Sequence, residues 1–410
     1  MVETEIQLQR YESYKDSGVE WVGEIPEHWE LKRFKHIFKE KKASSNLDLN
    51  CGSISFGKVV FKDDEKVTES TKRSYQVLNK GEFLINPLNL NYDLISLRIA
   101  LSDKDVVVSS GYIIVQDIIE LSKDYYKSLL HVFDVAFMKT LGAGVRQTLN
   151  FNLIANTEFI FPPLEEQTVI AQFLDDKTTK IDSAIAIKEQ QINLLKERKQ
   201  ILINKAVTQG LNPNVKLKDS GVEWIGEIPE YWEVRRFKFL CDITTGSKNT
   251  ENKVENGLYP FYVRSQTPER INSYTFDGEA ILTAGDGAGV GKVFHYVNEK
   301  FDFHQRVYKF SNFKNIKGKL LFYFLRSNFH SVALNGEAKS TVDSLRLPLI
   351  QNFMVTVPPR NEQIEIIKKI ETASQKIETA ISLKQHEIEK LKEYKGSLIN
   401  SCVTGKVKVC

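Results

Sequence analysis

The sequence lacks the features that define several large classes of protein. Only four cysteines occur in 410 residues, and no two of them form a CxxC pair, so we expect neither a disulfide framework nor an all-cysteine zinc site. No apolar run approaches the roughly 18 residues of a spanning helix, and the polar N-terminal segment does not resemble a signal peptide. These absences predict a cytoplasmic protein.

An excess of charge of one sign is also missing. The 56 lysines and arginines nearly balance the 53 aspartates and glutamates, and 41% of the residues are hydrophobic. This composition excludes a disordered tail and a protein that coats nucleic acid through bulk charge. The sequence contains no GxxxxGKS/T, HExxH or GxSxG motif, and its seven histidines are scattered. No catalytic or metal-binding constellation is therefore predicted.

What the sequence does contain is an internal repeat. Residues 15–35 (KDSGVEWVGEIPEHWELKRFK) and 218–238 (KDSGVEWIGEIPEYWEVRRFK), here called the frames, are identical at 17 of 21 positions. A second matching pair starts at the double prolines 162–163 (PPLEEQ) and 358–359 (PPRNEQ). The intervening inserts, 36–161 and 239–357, share almost nothing. The period is too long for a solenoid, so a whole module is duplicated and two different inserts sit in nearly identical frames.

A long helix is predicted after each double proline, because residues 164–209 and 360–394 contain neither proline nor glycine. Each helix carries an apolar stripe at 3–4-residue spacing, interrupted by polar residues at matching positions. We therefore predict that the helices pair as an antiparallel intramolecular coiled coil in which lysines help to fix the register. The alternative is two separate amphipathic helices, each packed on its own domain. Gly396 predicts that the last turns of the second helix bend or fray.

The stripe residues and their interruptions are as follows. The first stripe is Leu174, Ile181, Ile185, Ile192, Leu195 and Leu202, interrupted at Thr178, Lys188 and Lys199. The second stripe is Ile370, Ile377, Ile381, Ile388, Leu391 and Leu398, interrupted at Ser374, Lys384 and Lys395.

Each insert is predicted to be a mixed domain with strands first and a helix late. The predicted strands are 57–61, 82–85, 106–109 and 111–115, then 259–263, 279–283, 291–296 and 306–310, and the predicted helices are 124–141 and 316–329. The fold class is therefore α+β: two mixed globular domains separated by two long paired helices, with an internal pseudo-twofold duplication. The predicted boundaries are a first domain at 1–160, a spacer helix at 161–210, a second domain at 211–356 and a second spacer helix at 357–410.

Side chains of the types that contact bases and phosphates cluster in loops of both inserts. For any one cluster, a solvated polar loop is the simpler interpretation. The candidate DNA-binding residues are Lys72, Arg73, Tyr75, Arg146, Gln147, Thr148, Tyr262, Arg264, Ser265, Gln266, His304, Gln305, Arg306, Lys339, Ser340 and Thr341.

The most enzyme-like string is the glycine-rich segment from Gly285 to Gly291 (GDGAGVG). A nucleotide-binding loop of this kind follows a strand and opens a helix, whose N-terminus meets the phosphates. Here the residues from Lys292 to Tyr296 have the character of another strand, so a tight hairpin turn is predicted. A methyltransferase that binds its methyl donor at this turn is the alternative hypothesis, and a coiled-coil adaptor without a role in DNA binding is a third.

The strings SGVEWVGEIPEHWE and SGVEWIGEIPEYWE, the PPLxEQ-type motif before a long helix and the doubled layout resemble the specificity subunit of Type I restriction–modification systems over essentially the whole chain. The resemblance implies two target recognition domains, each reading one half of a bipartite, asymmetric DNA sequence, and spacer helices that set the gap between the halves. Arg360 replaces the usual hydrophobic residue after the prolines, a minor departure that leaves the helix start intact.

The resemblance also implies partners and a division of chemistry. The partners are double-stranded DNA, two modification subunits and, in the full complex, restriction subunits. The chain itself is non-catalytic and binds no cofactor. S-adenosylmethionine is used by the modification subunits, and ATP with Mg²⁺ by the restriction subunits.

Overall fold

The computed structural model describes residues 9–87, 97–138, 150–335 and 345–409. The chain divides into two compact units, residues 1–187 with 387–410, and residues 188–386. Each long helix contributes residues to both units, and the four-part division drawn from the sequence stays a prediction. Among the described residues, no helix is long and apolar enough to cross a membrane.

The first unit combines short strands with helices, as expected for an α+β domain. Its strands are β1 (Tyr14–Asp16), β2 (Glu24–Pro26), β3 (Glu30–Arg33), β4 (Phe38–Glu40), β5 (Gly52–Ser55), β6 (Lys58–Phe61), β7 (Gln76–Leu78), β8 (Phe83–Ile85), β9 (Ile99–Leu101), β10 (Val106–Val108), β11 (Ile113–Asp117) and β12 (Glu158–Phe161). Its helices are α1 (Phe34–Ile37), α2 (Glu69–Arg73), α3 (Lys123–Phe133), α4 (Phe151–Ala155) and the first half of α5 (Leu164–Gln209).

The second unit has the same mixture. Its strands are β13 (Leu217–Asp219), β14 (Glu227–Pro229), β15 (Glu233–Arg236), β16 (Asp242–Thr245), β17 (Tyr259–Tyr262), β18 (Glu269–Ile271), β19 (Phe276–Ala284), β20 (Phe294–Phe303), β21 (Val307–Ser311) and β22 (Met354–Val357). Its helices are α6 (Gly318–Asn335), α7 (Leu347–Asn352) and the first part of α8 (Arg360–Val403). Every predicted strand and helix of the two inserts overlaps one of these elements, although α3 ends at Phe133 in a π turn over Asp134–Met138.

The two inserts share a topology despite their unlike sequences. In the first unit an antiparallel sheet has the order β4-β11-β8-β9, and in the second a larger sheet begins with the order β16-β21-β19-β20. In both, the first strand directly follows the frame and its neighbour leads into the late helix, α3 or α6. A core needs apolar residues of suitable volume more than particular identities, so the topology is common where the sequence is not.

The two repeated motifs meet inside each unit. Strand β3 of the first frame pairs with β12, and β15 of the second frame pairs with β22. The fully buried Trp29 donates its indole N–H to Glu166 Oε2 at 3.1 Å, and the equivalent Trp232 donates to Glu362 Oε2 at 2.9 Å. Each frame is therefore fastened to the first turn of the long helix that follows its insert.

The glutamine after each glutamate fastens the insert itself. Gln167, which is fully buried, accepts a hydrogen bond from the Ser122 backbone N–H at the start of α3 and donates to Pro162 O. Gln363, also buried, accepts from the Lys317 N–H before α6 and donates to Asn315 O and Pro358 O. The Glu-Gln pair thus connects frame, insert and long helix at one point.

The predicted antiparallel pairing of the long helices is confirmed within each unit. In the second unit Lys199 Nζ lies 2.6 Å from Glu378 Oε1, and Lys384 Nζ lies 2.6 Å from Gln191 Oε1. The partners run in opposite chain order, so the helices are antiparallel. In the first unit Lys395 Nζ contacts Asp182 at 2.6 Å. These contacts between α5 and α8 show that the alternative of two separately packed helices is wrong. All twelve stripe residues are buried or half-buried.

Helix α8 continues through Gly396 to Val403, and the expected fraying of its last turns is wrong because Leu398, Cys402 and Val403 are buried. In the first unit Val403 O accepts a hydrogen bond from the Tyr125 hydroxyl at 2.8 Å. In the second unit Val207 O, at the matching place in α5, accepts from the Thr356 hydroxyl. Each unit is therefore completed by the end of the long helix that starts in the other unit.

Replacing Gln363 with leucine should destabilise the second unit. The change leaves the half-buried Lys317 N–H and two backbone carbonyls without their side-chain partner, at a cost of about 2–4 kcal/mol. Urea denaturation of the purified chain measures the loss. Gln375→Leu, an exposed position on the same helix, is the matched control and should change the midpoint little. Equal midpoints for both variants would contradict the role given to Gln363.

Candidate nucleic-acid interface

The glycine-rich segment of the second unit connects β19 to β20. These strands pair antiparallel from Thr283 opposite Phe294, and a short 3-10 turn covers Gly287–Gly289. The predicted hairpin is therefore confirmed, but its connection spans residues 285–293 and is longer than the predicted tight turn. No helix begins after this segment, so it lacks the geometry by which a nucleotide-binding loop holds phosphate.

Two glycines of this segment let it approach two arginine-bearing segments closely. A Cβ added at Gly289 would lie 2.6 Å from Arg264 O, and one at Gly285 would lie 2.9 Å from Arg306 O. Gly287 has φ +76°, a conformation that favours glycine. The glycines are explained by packing and backbone conformation.

Asp286 lies between the two arginines. Its Oδ1 accepts a hydrogen bond from Arg264 Nη1 at 2.9 Å, and its Oδ2 accepts from Arg306 Nη1 at 2.5 Å. Burial pushes the pKa of Asp286 upward, but the hydrogen bonds from Arg264 and Arg306 outweigh it and lower the pKa below its usual value. The carboxylate therefore stays ionised and joins two candidate clusters that are far apart in sequence.

His304 supports the same site from below the surface. It is 5% exposed, and its Nδ1 accepts a hydrogen bond from the Arg306 backbone N–H at 3.0 Å. Burial, together with Arg264 and Arg306, lowers its pKa, so the ring is neutral at pH 7 and its hydrogen is on Nε2. Around it Ser265, Gln266 and Gln305 are exposed.

Tyr262 lies deeper than its neighbours. It is 5% exposed, its hydroxyl donates to Glu299 Oε1 at 2.9 Å, and its ring packs against Phe301 and His295. From this position it supports the strand that leads to Arg264. Its contact with DNA stays a prediction.

The first unit presents a smaller basic cluster around α2. Lys72 Nζ lies 3.2 Å from Asp64 Oδ2, while the exposed Arg73 pairs with Glu69 one turn earlier. Tyr75 lines a surface cavity of about 410 Å³ together with Lys62 and Lys66. The structure thus places aromatic and basic groups side by side there.

The remaining candidates lie outside the described residues: Arg146, Gln147, Thr148, Lys339, Ser340 and Thr341.

The sequence analysis did not identify Asp286 as a site residue, although an acidic residue between two glycines in a strand connection was a usable signal. Within the described ranges, no group of three or more His, Cys, Asp or Glu side chains could hold a metal ion.

Two α+β units that carry repeated frames and share two long paired helices define a duplicated two-domain scaffold. The family model described as the Type I restriction modification DNA specificity domain matches residues 26–197 and again 229–393. The chain therefore belongs to this family, as the sequence resemblance predicted. It is a DNA-recognition subunit and not an enzyme, and nothing in the comparisons supports the methyltransferase alternative.

Two relatives of known class match the chain, one over most of its length and one over less than half. The Type I restriction enzyme MjaVIII specificity subunit of Methanocaldococcus jannaschii is 26% identical over 94% of this chain and 94% of its own length. The Type I restriction enzyme EcoDI specificity subunit of Escherichia coli is 27% identical over 44% of this chain and 40% of its own length.

Two solved structures show the same fold. A chain solved in a study of complex assembly and conformational transition of a type I R-M system has a TM-score of 0.70 at 15% identity and covers 92% of this chain and 98% of its own. The HsdS subunit from Thermoanaerobacter tengcongensis has a TM-score of 0.53 at 15% identity, with coverage of 93% and 98%.

Replacing Gly289 with alanine should destabilise the second unit by about 1–3 kcal/mol, because the new methyl group must displace the Arg264 backbone. Chemical denaturation of the purified chain tests this. Gly396→Ala is the control: nothing lies within 4 Å of its added Cβ, so the helix should gain up to about 1 kcal/mol. A Gly289→Ala midpoint at or above that of the wild type would argue against the close approach.

Proposed function

We propose that this chain selects a bipartite, asymmetric double-stranded DNA target for a Type I restriction–modification complex, with each recognition domain reading one half. The observation that carries the proposal is that two inserts of unlike sequence have the same topology and are attached to nearly identical frames. Because the Trp-Glu bond and the buried glutamine fix each insert in the same way, the inserts can differ in the bases they contact while their attachment stays constant.

The partners follow from the same arrangement. We propose that the chain binds two modification subunits and, through them, restriction subunits, since its relatives are named as specificity subunits of Type I restriction enzymes. A net charge of +3 is small for a protein that binds DNA alone, so partner subunits would supply much of the phosphate contact. Such a complex would act on DNA in the cytoplasm.

The cofactors are proposed to bind the partners. The glycine-rich segment, which was the strongest candidate for a methyl-donor site, is a strand connection whose glycines are explained by Arg264 and Arg306. S-adenosylmethionine is therefore assigned to the modification subunits, and ATP with Mg²⁺ to the restriction subunits.

Exchanging residues 36–161 for the corresponding insert of another specificity subunit should change one half of the target. The frames and the Glu-Gln attachments remain, so the second domain should keep its half. Mapping of methylated sites in a host that carries the complete system measures both halves at once. A swap that altered both half-sites would rule out modular recognition.

Inserting four residues next to Lys188 should alter the unspecified gap between the half-sites and leave both half-sites unchanged. The insertion adds about one helical turn, roughly 6 Å, to α5. The same methylation mapping gives the gap directly. As a control that preserves length, Glu189→Ala with Gln190→Ala should leave the gap as in the wild type. An unchanged gap in the insertion variant would speak against a spacer role for the helix.

A further inference from the structure

We propose that Asp286 is a positioning residue that aims Arg264 and Arg306 at guanine bases in the half of the target read by the second domain. The proposal rests on the proposed function and goes beyond it, because it names the residues that determine specificity and the base they recognise. Its basis is the contact of one ionised carboxylate with two guanidinium groups from separate segments.

The geometry leaves both arginines able to bind DNA. The Asp286 side chain is only 14% exposed, whereas the side chains of Arg264 and Arg306 are 44% and 59% exposed. Each arginine donates to a different carboxylate oxygen through one terminal nitrogen. A guanidinium group has five N–H donors in a rigid fork, so each keeps free donors on its exposed side.

The surrounding backbone holds the carboxylate in place. Gly285 and Gly289 bring the turn against Arg306 O and Arg264 O. Gly285 also makes two backbone hydrogen bonds, donating to Arg306 O and accepting from the Leu345 N–H. Backbone packing on both sides thus holds Asp286 at a position from which it bonds to both arginines.

The charge balance favours base recognition over phosphate binding. An aspartate between two arginines removes half of their positive charge, which weakens attraction to a polyanion. A guanidinium group held in one orientation, in contrast, can donate two hydrogen bonds to guanine O6 and N7. This is the commonest base-specific contact in the major groove. Surface lysines can bind phosphate without an aspartate partner. The loss of positive charge caused by Asp286 is therefore best explained by a role in base specificity.

The test uses the complete system in its host, with methylated sites mapped for wild type, Asp286→Asn, Arg264→Ala and Arg306→Ala. Asp277→Asn is the matched control, since Asp277 lies near the start of β19, the strand that leads to Asp286, and its carboxylate lies 4.0 Å from Lys300 at the exposed surface. We expect Asp286→Asn to reduce modification of wild-type sites roughly tenfold. It should also relax guanine positions in one half-site only, with the other half and the control unchanged.

Each arginine variant should relax one guanine position of that same half-site. Arg306 is well exposed, so its variant tests the proposal even if Asp286→Asn impairs folding. Uniform weakening across all sequences, with a flatter dependence of binding on salt, would show phosphate contact and overturn the proposal. A wild-type half-site without guanine would overturn it while leaving bipartite recognition intact. A wild-type pattern with no bipartite motif would sink the proposed function as well.

Discussion

Both units depend on the hydrogen bond between a buried tryptophan of the frame and a glutamate in the first turn of a long helix. A buried indole N–H needs an acceptor, and a carboxylate is favoured at a helix N-terminus, so each group satisfies the other. In the first unit Tyr11 and His28 also form hydrogen bonds with Glu166. Burial pushes the pKa of Glu166 upward, but the hydrogen bonds with His28, Trp29 and Tyr11 outweigh it and lower the pKa below its usual value. This junction fixes where a domain ends and a long helix begins, whatever lies between the frames.

The sequence predicted the parts of the fold that repeat or follow a period. The frames, the two long helices, the stripe from Leu174 to Leu202 and the strands-then-helix order of each insert were visible from patterns that local physics imposes. The order of the strands within each sheet, and strands such as β4 and β16, were not predicted, because they depend on long-range pairing. The hairpin at Gly285 was predicted, but the length of the connection between its strands was not. That length depends on how closely the segment packs against the backbone of Arg264 and Arg306. The fraying expected at Gly396 was wrong because tertiary burial of Leu398 and Cys402 outweighs the low helix propensity of one glycine.

The candidate interface was harder to predict for a related reason. Arg264 and Arg306 were identified from residue type alone, yet their common partner could not be found without the fold, since 20 residues of chain separate Asp286 from Arg306 and 22 from Arg264. Tyr262 belongs to the same sequence cluster as Arg264 but lies beneath it. Clusters in sequence thus mix exposed groups with the buried ones that hold them, and only packing separates the two.

Each long helix contributes residues to both units, and this has a consequence for the order in which the units are completed during synthesis. Residues 387–409 complete the first unit through Val403, Gly405 and the pairing of Lys408 with Gln9, but the ribosome produces them after the whole second unit. The first recognition domain therefore lacks the segment that packs against Trp29 and accepts the hydrogen bond of Tyr125 until residues 387–409 have been translated. A chain that stopped after residue 386 would contain every residue of the second unit and would lack the part of the first unit that covers Trp29 and Tyr125.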